Sequence, residues 1–259
     1  MHADWLMPDW PAPERVRAVC TSRNGGVSLP PYDSLNLGEH VGDDAGCVAR
    51  NRRVVADSLH ARPVFLQQVH GSKVARLTSN TRDALEADGC VSMEAHVACT
   101  IMVADCLPVL FTDTRGNAVA GAHAGWRGLA GTQGRGIVEN VFDSFRQAAR
   151  LAAGGEHSEV LAWLGPCIGP QAFEVGPDVK QAFEAADPAA GALFKPHADG
   201  RWLADLAGLA RLRLAALGVT RVYGNDGSRR WCTVSNPSRF FSHRRDRVSG
   251  RFAAAIWCT

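Results

Sequence analysis

The alternation of apolar and polar positions predicts a chain in which strands and helices are interleaved. Short apolar runs bounded by turn-forming or polar residues are typical of strands. Such runs lie at residues 15–21, 63–69, 97–103, 108–112, 117–122, 160–164, 219–223, 231–234 and 252–257. Many of them are apolar at nearly every position, which favours strands that are buried on both faces.

Apolar residues that recur with a period of 3.6 predict four helices. The clearest covers residues 131–152, where Ile137, Val141 and Phe145 follow one stripe. A second begins at Asp43 or Asp44, either of which could cap it, and ends near Leu59. The remaining two are predicted over residues 177–186 and 205–217.

The order of these elements favours an α/β or α+β fold built on a mixed sheet. The chain has 259 residues, without internal repeats, low-complexity tracts or long linkers. A chain of this length can bury most of its apolar surface in one body. We therefore expect residues 1–259 to form a single catalytic domain.

Composition and charge exclude several classes of protein. The chain is 46% hydrophobic and 21% charged, as expected for a globular protein. Its 28 basic and 26 acidic residues leave a net charge of +2, too weak to predict nucleic acid or a membrane surface as the main partner. The longest apolar stretch, residues 99–111, contains Asp105 and is too short to span a bilayer. No secretory signal is evident after Met1, so a cytoplasmic location with mostly buried free thiols is expected.

Three potential metal ligands follow apolar strands in the middle of the chain. They are His70, Cys106 and His123, each flanked by Gly or Ala residues that leave space for a ligand. Two imidazoles and one thiolate with a fourth position open are typical of catalytic zinc. The spacing also suits Cys106 as a nucleophile with His123 as its base. Spacing alone leaves both interpretations open, and each residue alone could simply be buried packing.

Motifs along almost the whole chain resemble a widespread bacterial family. Three of them surround the potential ligands: Gln68-Val69-His70-Gly71, Ala104-Asp105-Cys106-Leu107-Pro108 and His123-Ala124-Gly125-Trp126-Arg127-Gly128. The others lie at residues 21–28, 34–38, 40–43, 87–89, 164–168, 173–176, 241–246 and 250–251. The family was first labelled laccase-domain or multicopper polyphenol oxidase and was later described as purine nucleoside phosphorylases. This chain departs from it at His243, where Tyr is commoner, and at Arg247, where Gly is commoner.

The resemblance implies a fold, a metal and an activity. The fold would stack two mixed sheets between helices in four layers (αββα), similar to a group of cysteine hydrolases. The metal would be Zn²⁺ held by His70, Cys106 and His123, with Cu²⁺ as a possible occupant. The implied activity is phosphorolysis of adenosine, inosine and S-methyl-5'-thioadenosine to the free base and ribose 1-phosphate, together with adenosine deamination.

The same resemblance directs attention to residues around the ligands. Asp105 and Glu174 are rival candidates for moving a proton, although Asp105 could instead orient a ligand histidine. Arginine suits bidentate phosphate contacts, and four arginines lie in matching motifs: Arg23, Arg127, Arg244 and Arg245. Asn36 and Gln68 could bind the ribose or base, or could fix a loop.

Two other enzymatic functions compete with the phosphorylase. One is a Cys-His amidase that edits a peptidoglycan precursor, since members of the family have been linked to that reaction. The other is a copper-dependent polyphenol oxidase, which would need roughly ten histidines, largely in His-x-His pairs. This chain has nine histidines and no such pair, so a multicopper centre is not expected. A binding module without turnover is a third interpretation, and the oligomeric state stays open.

Overall fold

A computed structural model describes residues 2–156 and 158–259. Within these residues, thirteen strands form: β1 (Val16–Cys20), β2 (Arg62–Phe65), β3 (Val74–Leu77), β4 (Gly89–Ser92), β5 (Val97–Val103), β6 (Leu107–Asp113), β7 (Val119–Ala124), β8 (Val160–Leu164), β9 (Glu174–Val175), β10 (Phe194–Pro196), β11 (Trp202–Ala204), β12 (Arg221–Gly224) and β13 (Phe252–Cys258). The same residues form six α-helices: α1 (Ala45–Leu59), α2 (Trp126–Ala130), α3 (Ile137–Ala152), α4 (Pro177–Glu184), α5 (Leu206–Ala216) and α6 (His243–Asp246). Short 3₁₀ turns cover Glu39–Val41, Pro188–Leu193, Ala198–Gly200 and Arg229–Trp231.

Two mixed sheets form the centre of the molecule. The first has the strand order β1-β13-β5-β2, and the second has the order β12-β8-β6-β7-β4-β3. Each combines antiparallel and parallel pairs; β5 pairs antiparallel with β13 and parallel with β2. A small antiparallel sheet, β10-β11-β9, is an addition that the sequence did not predict.

Side-chain alternation along the central strands explains the stacking of layers. On β5, Cys99 and Ile101 pack between the two sheets, whereas Met102 faces the layer that contains α1. On the outer side of the second sheet, Phe111 of β6 packs against Phe145 of α3. Each large apolar side chain buried in this way contributes about 1.5–3 kcal/mol. The predicted arrangement of two mixed sheets between helices is therefore confirmed.

Several predicted elements have different bounds in the structure. The helix predicted over 131–152 begins at Ile137, because a turn at Gly131 separates it from α2. Gly131 has φ of +64°, and a Cβ there would lie 1.9 Å from the carbonyl oxygen of Arg135. The strand predicted over 63–69 ends at Phe65. The strand predicted over 231–234 is wrong, since this segment follows a 3₁₀ turn and pairs only through a single bridge between Cys167 and Cys232.

Other boundaries agree closely with the sequence. α1 begins after Asp44, whose side chain accepts a hydrogen bond from the backbone N–H of Cys47. α4 and α5 lie within the predicted ranges. None of the helices in the described parts of the chain has the combination of length and apolar character required for a membrane span.

Candidate metal centre and substrate cavity

Three chain segments bring His70, Cys106 and His123 together. His123 lies near the end of β7, Cys106 directly precedes β6, and His70 follows β2. β6 and β7 pair so that Pro108 lies opposite His123, which places Cys106 at the same end of the sheet. The ligand atoms of the three side chains all lie within 4.8 Å of one another, and Cys106 Sγ is 3.6 Å from His70 Nε2.

Two glycines allow the backbone to approach this cluster closely. A Cβ at Gly125 would lie 2.9 Å from both Cys106 Sγ and His70 Cδ2. A Cβ at Gly128 would lie 2.8 Å from the carbonyl oxygen of Gly71. These two glycines, in α2 and directly before it, thus add to the small residues Gly71, Ala104, Ala122 and Ala124 that the sequence places beside the cluster.

A buried carboxylate, Asp88, holds two of the three side chains in place. Its oxygens accept hydrogen bonds from the backbone N–H groups of Val69, His70 and Gly71 at 2.7–3.1 Å. Its Oδ1 also lies 2.8 Å from Nδ1 of His123, which leaves Nε2 of that ring for the cluster. A carboxylate behind a histidine ligand is the usual way in which proteins orient metal-binding imidazoles. The sequence placed Asp88 in a matching motif but gave it no role.

The cluster and Asp88 shift one another's pKa values. Burial alone would raise the pKa of Cys106, but the charge and hydrogen bonds of His123 and His70 lower it to about 6. Burial lowers the pKa of His123, yet Cys106 and Asp88 raise it to about 9. For Asp88, burial raises the pKa, while the bonds and charge of His123 and the N–H groups of Gly71 and Val69 bring it below its usual value. Without metal, a thiolate therefore faces an imidazolium near neutral pH.

The cluster lies in a cavity of about 370 Å³ with an apolar wall and several polar groups. The apolar part of the lining consists of seven residues: Met102, Val103, Ala104, Trp126, Ile168, Phe173 and Leu206. Polar groups from distant parts of the chain complete the lining: His40, Gln68, Asp105, His243, Arg244 and Arg251. Aromatic and aliphatic walls with a few convergent polar groups are typical of small-molecule sites.

Three of the predicted residues around the cluster line this cavity. Nε2 of Gln68 donates to the carbonyl oxygen of Met102 at 2.8 Å, and Oε1 of Gln68 accepts from the backbone N–H of Met102 at 2.9 Å. Arg244 donates from Nη1 to the carbonyl oxygens of Ala172 and Glu174. Both side chains are therefore positioned by backbone contacts while they remain open to the cavity.

Asp105, the third, has both carboxylate oxygens engaged away from the cluster. Its Oδ1 accepts a hydrogen bond from the hydroxyl of Thr233 at 2.5 Å, and its Oδ2 accepts one from the backbone N–H of Arg244 at 2.6 Å. The carboxylate thus fixes the beginning of α6. The carboxylate that contacts the ring of His123 is that of Asp88, not that of Asp105.

The other predicted residues lie outside the lining of the cavity. Glu174 has its carboxylate 3.4 Å from Nε2 of His197. Arg23 binds Asp33 and the carbonyl oxygen of Pro237. Asn36 donates to the carbonyl oxygen of Gly38 and to Asp43, and accepts from the backbone N–H of Arg251. The guanidinium of Arg127 stacks on Trp126. Arg245 binds Asp246 and the carbonyl oxygens of Thr233 and Phe240.

The structure also brings in residues that the sequence did not assign. His40 and Arg251 line the cavity, although both lie in matching motifs far from the cluster along the chain. His243, noted only as a departure from the family, lines it as the first residue of α6. No local pattern could reveal them, because their place at the cavity depends on the pairing of distant strands.

Comparison with known proteins identifies close relatives over nearly the whole chain. A purine nucleoside phosphorylase of Pseudomonas aeruginosa is 51% identical, covering 98% of both chains. One from Escherichia coli is 46% identical, covering 97% of this chain and 98% of the relative. The crystal structure of a Neisseria meningitidis protein superposes with a TM-score of 0.88 at 44% identity, covering 98% of this chain and 99% of that one.

A second solved structure, that of YlmD from Geobacillus stearothermophilus, has a TM-score of 0.83 at 32% identity. It covers 95% of this chain and 92% of its own. The family model described as multi-copper polyphenol oxidoreductase laccase matches residues 17–259. The chain therefore belongs to this family, and its relatives from Pseudomonas aeruginosa and Escherichia coli are named purine nucleoside phosphorylases.

Proposed function

We propose that residues 1–259 form a zinc-dependent purine nucleoside phosphorylase. Its substrates would be adenosine, inosine and S-methyl-5'-thioadenosine, which inorganic phosphate would split into free base and ribose 1-phosphate, or 5-methylthioribose 1-phosphate from the thioether. Adenosine deamination would be a second activity of the same site. The observation that carries this proposal is the His70–Cys106–His123 cluster at a cavity that also contains an aromatic wall and guanidinium groups.

The donor set fits zinc. Two imidazoles and a thiolate make a mixed nitrogen and sulfur site that leaves a tetrahedral position open, and Asp88 supplies the orienting carboxylate. When bound, zinc would supply Lewis-acid polarisation of an oxygen atom at the open position. The same donors accept copper, and metal analysis of the purified protein distinguishes the two. Among the described residues this is the one cluster of three potential metal ligands, too few for a multicopper centre.

In phosphorolysis, a phosphate oxygen forms a bond to C1′ of the ribose. The C1′–N9 bond breaks, its electron pair stays with the purine, and the purine takes up a proton. Arg244 would bind the phosphate, while Trp126 and Phe173 would pack against the base. Gln68 is placed to hydrogen-bond the ribose or base.

In deamination, a water oxygen adds to C6 of adenosine and ammonia leaves. This step needs a group that transfers a proton, and Asp105 is the carboxylate that lines the cavity within the described residues. Glu174 would have to turn away from His197 to take part. We assign the proton transfer to Asp105 rather than to Glu174 because Asp105 lines the cavity, although it would have to release Thr233 or the backbone N–H of Arg244 to take part.

The geometry also favours a second candidate function, the Cys-His amidase. Cys106, His123 and Asp88 are arranged as a nucleophile, its base and the group that orients the base. In that reaction the thiolate would attack an amide carbonyl of a cell-wall precursor and the amine would leave with a proton from His123. Water would then hydrolyse the thioester and regenerate Cys106. The phosphorylase would need bound zinc, whereas the amidase would not. A protein that is active without metal and can be alkylated at Cys106 would therefore favour the amidase.

The experiment that tests the phosphorylase is chromatography of the products formed from adenosine. The purified protein is incubated with and without phosphate, and with and without a chelator. Adenine and ribose 1-phosphate are expected only with phosphate, and inosine is expected without it. The chelator should abolish all three products, and added zinc should restore them. Zinc-replete protein that forms no product would contradict the proposal and support a binding module.

A further inference from the structure

Arg251 is held at the cavity with part of its guanidinium free. Its backbone N–H donates to Asn36 Oδ1 at 2.8 Å, and its Nη1 donates to the carbonyl oxygens of Ser249 and Gly250 at 2.8 and 3.0 Å. Its stem lies against Gly38, where a Cβ would be 2.8 Å from Arg251 Cγ. These contacts fix the side chain, so little rotamer entropy would be lost when a ligand binds.

The remaining N–H groups of Arg251 have no protein acceptor. Within residues 2–156 and 158–259, Nε and Nη2 make no hydrogen bond, and neither is sealed away from the cavity. The same holds for Nε and Nη2 of Arg244, whose Nη1 is anchored on Ala172 and Glu174. Two anchored guanidiniums thus present unused donors to one cavity.

The acidic groups nearby do not satisfy these donors. Asp105 gives its two oxygens to Thr233 and to the backbone of Arg244, and the carboxylate of Glu174 faces His197. No other Asp or Glu is among the described residues that line the cavity, and the lining contains no Lys or further Arg. A compact oxyanion is the ligand class that fits paired guanidinium forks.

We propose that Arg251 and Arg244 form an oxyanion subsite for phosphate in this cavity, with Arg251 as its fixed centre. The sequence placed Arg251 only in a matching motif, and of the four arginines predicted to bind phosphate only Arg244 lines the cavity. The assignment of the phosphate as co-substrate rests on the proposed phosphorolysis. The subsite itself does not, since a phosphate group carried by a nucleotide would make the same contacts.

Equilibrium dialysis of the purified full chain tests the subsite. Radiolabelled inorganic phosphate is one probe and adenosine 5'-monophosphate is the other, each with metal-loaded and chelator-treated protein. Arg251→Gln removes charged hydrogen bonds and should weaken binding of phosphate by roughly tenfold or more. Arg251→Lys keeps the charge without the fork and should recover only part of the loss. Arg244→Gln should weaken binding by a smaller factor, because Arg251 remains.

Arg146→Gln is the matched control, since Arg146 is an exposed arginine on α3 outside the cavity. It should leave phosphate binding unchanged, and thermal unfolding shows which variants are folded. If folded Arg251→Lys and Arg244→Gln both bind phosphate as the unaltered protein does, the subsite is wrong even if phosphorolysis is observed. Binding that depends on Arg251 in a protein without phosphorolysis would instead support the subsite and overturn the proposed function. Arg251-dependent binding of the nucleotide alone would assign the subsite to a substrate-borne phosphate.

Discussion

Two carboxylates near the cluster, the buried Asp88 and the half-buried Asp105, bind different parts of the site. Asp88 precedes β4 and binds the His70 loop and the ring of His123. Asp105 precedes Cys106 in the chain but binds Thr233 and the backbone of Arg244. The residue adjacent to Cys106 in sequence thus contacts the part of the cavity that we propose binds the anion (the anion-binding side), and the distant residue contacts the proposed metal ligands (the metal-binding side). Proximity along the chain is a poor guide to which carboxylate supports which ligand.

The metal-binding side gives the largest expected effects. His70→Ala, Cys106→Ala and His123→Ala should each abolish turnover and stoichiometric zinc while the fold stays intact, because each removes one of the three proposed protein ligands. Metal analysis, circular dichroism and product chromatography measure the three consequences. Normal activity in all three variants would refute the site and remove the basis for the comparison.

Asp88→Asn should produce the next largest effect. The carboxamide cannot accept from all three N–H groups and the His123 ring, so buried donors are left unpaired. We expect a loss of about 3 kcal/mol in the free energy of unfolding and a ten- to hundredfold loss of zinc affinity, as is common for such orienting groups. Denaturant titration and competition with a zinc chelator measure the two quantities.

A matched control exists at the opposite end of the same sheet. Asp113 ends β6, is fully buried, and accepts hydrogen bonds from the backbone and side chain of Asn117 and from Ser158. Asp113→Asn should destabilise the fold but leave zinc affinity unchanged. Equal losses of zinc affinity in both variants would mean that Asp88 acts through stability alone.

The hydrophobic pattern predicted the interleaved strands and helices, whereas the stacking of two mixed sheets between helices was implied by the family resemblance. Strands such as β5, β6 and β7 are buried at every position and largely apolar because they lie between other layers, so their apolar runs were informative. The helix start was misplaced because the φ of Gly131, a local backbone property, ends the helical pattern there. The error at 231–234 arose because an apolar run does not reveal whether a partner strand is available.

Residues whose own side chains carry the chemistry could be named as candidates from the sequence. Residues that act through contacts with distant parts of the chain could not. His70, Cys106 and His123 could be selected as candidates because each follows an apolar strand, and the structure brings their side chains together. Their assignment as metal ligands came from the family resemblance. The roles of Asp88 and Arg251 depend on β4 pairing with β7 and on Asn36 contacting the start of β13. Arg245 and Arg251 are the same type of residue, yet of these two arginines only Arg251 lines the cavity.

The pH dependence of Cys106 sharpens the role of the metal-binding side. In metal-free protein the pKa of Cys106 is lowered to about 6 and that of His123 is raised to about 9. A thiolate should therefore persist as the pH falls to about 6, and its alkylation rate should drop only below that value. Iodoacetamide labelling in a Cys47→Ser background measures this, since Cys47 is the other half-buried thiol among the described cysteines.

Zinc should suppress this alkylation, because a coordinated thiolate is less available. His123→Ala should move the inflection to higher pH, since the group that lowers the pKa of Cys106 is lost. An inflection near the ordinary pKa of a thiol in the unaltered metal-free protein would contradict the thiolate–imidazolium pair.

Asp105→Asn should have a smaller effect, on the other side of the cavity. The amide can still accept one hydrogen bond, so we expect a loss of about 1–2 kcal/mol in stability with zinc content unchanged. The KM for phosphate should rise, because the backbone of Arg244 loses its anchor. Deamination should fall as well if Asp105 transfers the proton, whereas a purely positioning role would leave the deamination rate unchanged. Steady-state kinetics of both reactions therefore separate the two roles of this carboxylate.

Glu174→Gln should have the smallest effect of the series. The carboxylate of Glu174 is exposed and faces His197, and the contact that Arg244 makes is with the backbone carbonyl of Glu174, which the substitution retains. Zinc affinity and the kinetic constants of both reactions should change by less than about twofold, and the free energy of unfolding should change little, as for other exposed ion pairs. A large loss of deamination with unchanged zinc and phosphate binding would show that this side chain turns into the cavity during the reaction. The proton would then pass through Glu174, and Asp105 would keep only its structural role in holding α6.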